Sequence, residues 1–153
     1  MADVKQAFGT STSITITLNS LASGSAREST AIDNTSNLFL DALVRVSIAV
    51  GTTAAPKEIR IYVAGSEDGT TYEDPATGTD AAITLEDPPV TKIARVIPVP
   101  TSSKTYEALF TVAQCFGGAM PRKWNIIIDN QSGAALSGSG NSATYSGIYQ
   151  TVV

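Results

Sequence analysis

The chain has 153 residues, 42% of them hydrophobic and 16% charged, with ten Lys and Arg against fourteen Asp and Glu and a net charge of −4. That apolar share excludes intrinsic disorder, and the length suits one domain with a substantial core. An acidic chain whose one adjacent basic pair is Arg122-Lys123 gains little from counterion release on a phosphate backbone or from an anionic bilayer, so neither nucleic acid nor membrane is expected as a partner.

The opening residues, Met1-Ala2-Asp3-Val4-Lys5-Gln6, contain no apolar h-region, so no secretory signal is expected. The polar stretch 1–13 reads as an arm that either frays or orders on a neighbour. From there the dominant signal is alternation with period two, the mark of half-buried strands. Ile14, Ile16 and Leu18 alternate with Thr15 and Thr17, and Ser25–Asn34 is a second strand candidate. Between Leu40 and Val50, the residues Leu40, Ala42, Val44, Val46, Ile48 and Val50 share a face opposite Asp41, Arg45 and Ser47, which predicts a long strand. Leu38 to Val50 is the longest apolar run, but Asp41 and Arg45 interrupt it and it is too short to span a bilayer.

Ile59, Ile61 and Val63 alternate with Glu58, Arg60 and Tyr62 in the next strand. Val90–Ile97 follows, after Pro88-Pro89 closes a polar segment. Pro98-Val99-Pro100 is expected at an edge or in a connector, because proline donates no ladder hydrogen bond. Tyr106–Val112 and Lys123–Asp129 supply two more inward rows, Tyr106, Ala108, Phe110 and Val112 in one and Trp124, Ile126 and Ile128 in the other. Ala143–Val152 is the last candidate, placed to complete a sheet within the protomer or add to a neighbour's edge. Turn clusters such as Asp68-Gly69, Gly117-Gly118 and Ser132-Gly133 separate these runs. No stretch of helical length carries an i, i+3, i+4, i+7 stripe. The expectation is all-β: a jelly roll or two-sheet β-sandwich of about eight antiparallel strands, forming a single domain over 14–153. Ile32-Asp33-Asn34-Thr35-Ser36 echoes Ile128-Asp129-Asn130-Gln131-Ser132, which reads as two strand ends using the same Asx turn chemistry.

Candidate chemistry is sparse. With no histidine, the commonest general base, the usual metal ligand and the Ser-His and Cys-His dyads are all missing. Lys5, Lys57, Lys92, Lys104 and Lys123 are scattered outside any nucleophile motif. Cys115 is alone, so it forms no internal disulfide, and its neighbours Val112 and Phe116 suggest a buried, inert thiol. Clustered carboxylates in Glu67-Asp68-Gly69-Thr70-Thr71-Tyr72-Glu73-Asp74 offer oxygen ligands of the type Ca²⁺ takes, but the spacing is not that of an EF-hand loop. The segment is therefore read as a solvated turn. Tyr72, Tyr145 and Tyr149 are the candidates for a sugar-stacking platform, with cross-strand packing the simpler reading. No catalytic, cofactor-binding or metal residue is assigned, no cofactor is expected, and the chain reads as non-enzymatic.

Several phrases together resemble one family, the small structural proteins of tailed-bacteriophage virions. They are Ser29-Thr30-Ala31-Ile32-Asp33-Asn34-Thr35-Ser36-Asn37-Leu38, Ser66-Glu67-Asp68-Gly69-Thr70-Thr71-Tyr72 and Gly117-Gly118-Ala119-Met120-Pro121-Arg122-Lys123-Trp124, continued by 130–136 and by Tyr145-Ser146-Gly147-Ile148. The resemblance runs in order from about Leu18 to the end of the chain. It implies a jelly-roll decoration, or cement, protein made in the bacterial host cytoplasm and placed on the capsid exterior of the virion. The partners it implies are the major capsid protein and copies of the chain itself, as a homotrimer. Two other readings stay open at this point: a tail or head–tail junction component, and a carbohydrate-binding module using the tyrosines.

Overall fold

Alternating apolar and polar residues put one row of each long strand into a shared interior, and the strands assemble as two antiparallel sheets. The computed structural model describes residues 2–54 and 57–153. Its strands are β1 (Val4–Phe8), β2 (Thr12–Ser13), β3 (Ser25–Glu28), β4 (Ile32–Asp33), β5 (Asp41–Ala49), β6 (Glu58–Ser66), β7 (Ala81–Ile83), β8 (Lys92–Pro98), β9 (Thr105–Thr111), β10 (Lys123–Gln131) and β11 (Ser142–Val152). The first sheet has the order β1-β11-β5-β9, with β2 also on β11. The second has the order β7-β3-β10-β6-β8, with β4 also on β10.

When β1 and β2 are taken as one edge along β11, and the short β4 and β7 are set aside, the pairings nest. The first strand pairs with the last, β3 with β10, β5 with β9, and β6 with β8. That is the strand pairing of a jelly roll, the two-sheet all-β architecture expected from the alternation. Val44, Val46, Ile48 and Phe110 from the first sheet meet Ile59, Ile61, Val63, Trp124, Ile126 and Ile128 from the second, all of them buried. Each such side chain contributes about 1.5–3 kcal/mol of apolar burial.

The second sheet is covered on its other face as well. The excursion between β6 and β8 lays Ala76, Ile83 and Leu85 over Ala26, Tyr62, Ala64 and Ile127, a smaller core of its own. This is why β10 is buried on both faces from Trp124 to Asn130.

Several boundaries differ from the sequence expectation. Ile14 and Leu18 are buried, as their alternation implies, yet 14–18 joins no ladder. The segment crosses between the sheets: Ile14 N–H donates to Ala143 of the first, while the Thr15 carbonyl accepts from Thr30 on the side of the second. The strand expected over 25–34 is divided into β3 and β4. Between them Ser29 Oγ accepts the N–H of Ile126, so a side-chain oxygen takes the place of a ladder carbonyl.

Leu40 does not share the buried row of β5. It is 54% exposed, at an end where Phe39 lies against Gly147. Val90 precedes β8, and a register shift between Ile61 and Tyr62 leaves Ile93 and Val96 exposed while Ile97 and Val99 turn inward. Pro98 closes this edge strand, in keeping with the edge position expected of it.

The stretch read as an arm, 1–13, differs too. Val4–Phe8 and Thr12–Ser13 pair along β11 of the same chain. An edge strand that buries little carries only a weak apolar row, so its sequence looks like an arm. Met1 lies outside the described residues.

Candidate functional site

Which surfaces the fold leaves uncovered follows from strand parity. The buried row of β5 fixes Leu43, Arg45, Ser47 and Ala49 on the outer face of the first sheet, and cross-strand partners share a face. Its neighbours there include Thr144, Ser146, Ile148, Gln150 and Val152 of β11, Glu107 and Leu109 of β9, and Val4, Gln6 and Phe8 of β1. Val4 pairs with Val152 and Phe8 with Ile148, which makes one end of this face apolar, with Val4 62%, Phe8 54% and Val152 66% exposed.

Charge is nearly absent from the face. Arg45 and Glu107 pair with one another, and the hydrogen bond from Arg45 holds the Glu107 carboxyl below its ordinary value despite some desolvation. Asp41, at the end of β5, is turned to backbone, accepting the N–H groups of Ala42 and Ala113. The chain's own excursion covers the centre of the second sheet's outer face, over Ala26, Tyr62, Ala64 and Ile127, and leaves Ile93 and Val96 exposed at its β8 edge, whereas no described segment packs an apolar cluster on the outer face of the first sheet. A broad, uncharged, partly apolar sheet face has the character of an interaction surface.

A second exposed feature lies at the loop 34–40. Asn34 is buried and binds both polar groups of Phe39, donating from Nδ2 to its carbonyl and accepting its N–H at Oδ1. Asp33 Oδ1 accepts from the N–H and hydroxyl of Thr35, and these bonds hold its carboxyl below the ordinary range. Clamped at both ends, the loop presents Leu38 at φ +51 with 73% of its surface exposed. A leucine in the left-handed region costs about 1–2 kcal/mol, and here it gains little burial in return.

Beside this loop, Met120, Pro121 and Arg122 form a divider. On its far side is a cleft of about 470 Å³ walled by Phe116, Ala119, Met120 and Pro121, with Ser66, Glu67 and Glu73 at its other side. Gly65 forms its floor: a Cβ there would stand 2.9 Å from the Phe116 ring and 3.1 Å from Pro121 Cγ, so these side chains pack directly on the backbone. Glu73 is engaged by Lys92 and by the N–H of Gly65, whereas Glu67 and Arg122 belong to no ion pair among the described residues.

The side chains singled out in the sequence are not brought together. Asp68 accepts the N–H groups of Thr71 and Thr70 and the Thr71 hydroxyl, which hold its carboxyl far below the usual carboxylate range. Those bonds build a turn and occupy the oxygens a cation would need, and no group of three acidic or sulfur ligands forms among the described residues. Tyr145 turns inward, its ring edge-on to Trp124 at 5.6 Å. Tyr149 lies on the same face of β11 but at the overhanging end, tilted against Phe39 at 6.2 Å. Tyr72 is held against Gly78, and its burial raises its pKa. The three tyrosines therefore form no common platform. Cys115 is half-buried, and desolvation, with Asp41 nearby, pushes its thiol pKa up, away from the reactive thiolate. Sequence reading missed Leu38 and the cleft; in sequence Leu38 follows the polar run Asn34-Thr35-Ser36-Asn37 and precedes Phe39 and Leu40, so nothing local separates it from the start of an apolar strand.

No protein-family model matches this chain, and no curated protein matches it significantly.

Proposed function

We propose that the chain is a non-enzymatic structural protein of a tailed-phage virion, which decorates and stabilises the capsid exterior by binding the major capsid protein and, as a homotrimer, copies of itself. The observation that carries the reading is the bare outer face of the first sheet, nearly free of charge and apolar at its β1–β11 end, in a molecule whose other sheet has the centre of its outer face covered by its own chain. A scaffold protein needs a rigid frame with surface left for partners, and a jelly roll with one open sheet face provides both. The ordered resemblance of 18–153 to virion proteins supplies the particle. The absence of histidine from the sequence and the self-contained bonding of the acidic loop agree with a role that requires no chemistry.

The test is an icosahedrally averaged cryo-electron microscopy reconstruction of purified particles, with copy number measured by quantitative mass spectrometry. Density of this sandwich at threefold positions above the shell, its first sheet turned to capsid or to sister copies, is the expected result. A bare shell with few copies per particle moves the protein to the tail or the head–tail junction. Particles lacking the chain end the virion reading altogether.

A further inference from the structure

We propose that two copies of this chain pair edge to edge, β1 against β1 in antiparallel sense, with Gln6 opposite Gln6 of the second copy on a twofold axis. Such a contact is isologous and closes as a dimer, so it is additional to the threefold contact of the reading above and does not rest on it.

The backbone of β1 defines what fits against it. Asp3 and Val153 exchange both of their backbone hydrogen bonds, and Gly9 N–H donates to Gly147, so the register along β11 makes Lys5 and Ala7 the bonded residues between them. Val4, Gln6 and Phe8 therefore turn their N–H and C=O groups away from β11, toward an edge that no described segment occupies. All three residues are exposed. A row of free donors and acceptors at strand spacing is matched by another extended strand.

Other edges of the two sheets are protected in ways that β1 is not. Arg95 of β8 donates to the Leu109 carbonyl of β9, tying those two edges together, and β8 also carries a register shift and Pro98. β7 has only three residues. β1 runs for five residues in regular register, without proline or bulge. It also overhangs the body of its sheet. β5 pairs β11 only as far as Ile148, so Val4–Ala7 and 149–152 form a two-stranded ribbon beyond it. Two strands alone are marginal in water, and a second ribbon laid alongside makes four.

The edge is complementary to itself. With Gln6 on the axis, Val4 and Phe8 of one copy face Phe8 and Val4 of the other, and all the free backbone groups of Val4, Gln6 and Phe8 are used. Lys5 then stands opposite Ala7. Centring the pair on Lys5 or Ala7 instead leaves part of that row unpaired, and on Lys5 it also sets like charges face to face. Val4 and Phe8 lie on the outer face of the first sheet, so its apolar β1–β11 end meets the same end of the second copy. The joined sheet has the order β9-β5-β11-β1-β1-β11-β5-β9, with one apolar band across the axis.

The experiment uses the full chain carrying Cys115→Ser, which removes its single thiol, in analytical ultracentrifugation and in oxidative cross-linking. At roughly 100 µM this chain is expected to sediment as a dimer, or as a hexamer where a threefold contact also forms. Gln6→Pro should weaken the contact at least tenfold and leave the melting temperature of the dilute protomer unchanged, because the N–H it removes makes no bond to β11. Gln6→Cys should oxidise to a covalent dimer, since hydrogen-bonded antiparallel partners have Cα atoms about 5.5 Å apart. Val4→Cys alone should give no covalent dimer, yet cross-link one to one when mixed with Phe8→Cys. Amide exchange reads the same edge without substitution: the Gln6 N–H gains protection as concentration rises, while Lys5 and Ala7 are protected throughout. A chain that stays monomeric or trimeric at that concentration, Gln6→Pro that pairs undiminished, or Val4→Cys that cross-links to itself would each overturn the proposal. The reading as a virion protein fails separately, on the composition of particles.

Discussion

Asn125 Nδ2 donates a hydrogen bond of 2.8 Å to Oε2 of Glu28, joining β10 to β3 on the outer face of the second sheet. Glu28 is 1% exposed, and its carboxylate also accepts from the N–H and hydroxyl of Thr77 and from the N–H of Gly78. This one side chain thus fastens the 67–90 excursion to the sheet it covers. Glu28→Ala leaves those donors without an acceptor in a closed environment, at an expected cost of about 3 kcal/mol. The midpoint of guanidinium unfolding should fall accordingly. Limited proteolysis should cut first between β6 and β8, because the excursion loses its anchor before the main core is disturbed.

Gly147 sets the position of Phe39. A Cβ on this residue would overlap the Phe39 ring, so alanine there must displace a ring that packs directly on the strand. Gly147→Ala is expected to destabilise by about 1–3 kcal/mol through overpacking. Adding Phe39→Ala removes the clash, so the double variant should lose less than the sum of the singles. Denaturant melts of the four proteins in this cycle measure the coupling.

The strands that were legible in the sequence are those facing an opposing sheet. β5, β6, β9 and β10 each carry an inward row of Val, Ile, Phe or Trp, and period-two alternation finds such rows directly, while β11 turns Ala143 and Tyr145 inward. β1 escaped because an edge strand over little core has no such row, and Val4-Lys5-Gln6-Ala7-Phe8 alternates too weakly to distinguish from an arm. β7 lies in the excursion, where its residues pack on a minor core that only the tertiary fold creates. Ser29 interrupts the expected 25–34 strand through a side-chain bond to a residue 97 positions away, and local pattern carries no trace of that. The candidate surfaces were hidden for a related reason: an outward Leu38, Phe8 or Val152 has the same composition as core, and only burial separates them.

Acid should unfold the protein, with neutral pH leaving it untouched. Asp80 accepts from Thr17 and Arg27. Burial alone would raise its pKa, but the bonds from Arg27 and Thr17 outweigh that and hold it below its ordinary value. A carboxylate depressed in the folded state contributes stability above its unfolded pKa, near 4, and that contribution disappears as pH falls through the lower folded value. Asp33 and Glu107 are shifted the same way, and the sequence has no histidine to titrate between about pH 5.5 and 8. Melting temperature should therefore be flat across that range and decline below about pH 4. Asp80→Asn should lower stability at neutral pH and make the decline shallower, because part of what acid removes is already gone.

Leu38 makes a prediction of opposite sign to most substitutions. Its left-handed backbone costs about 1–2 kcal/mol for a leucine, while asparagine tolerates that region through its short polar side chain. Little burial is forfeited, because 73% of the residue already faces solvent. At about 25 cal/mol per Å² of apolar surface, the lost contact amounts to about 1 kcal/mol at most. Leu38→Asn should thus stabilise the chain by up to about 1 kcal/mol, read as a rise in the urea midpoint. A loss of stability would mean that Leu38 packs on its own protomer more than its exposure indicates.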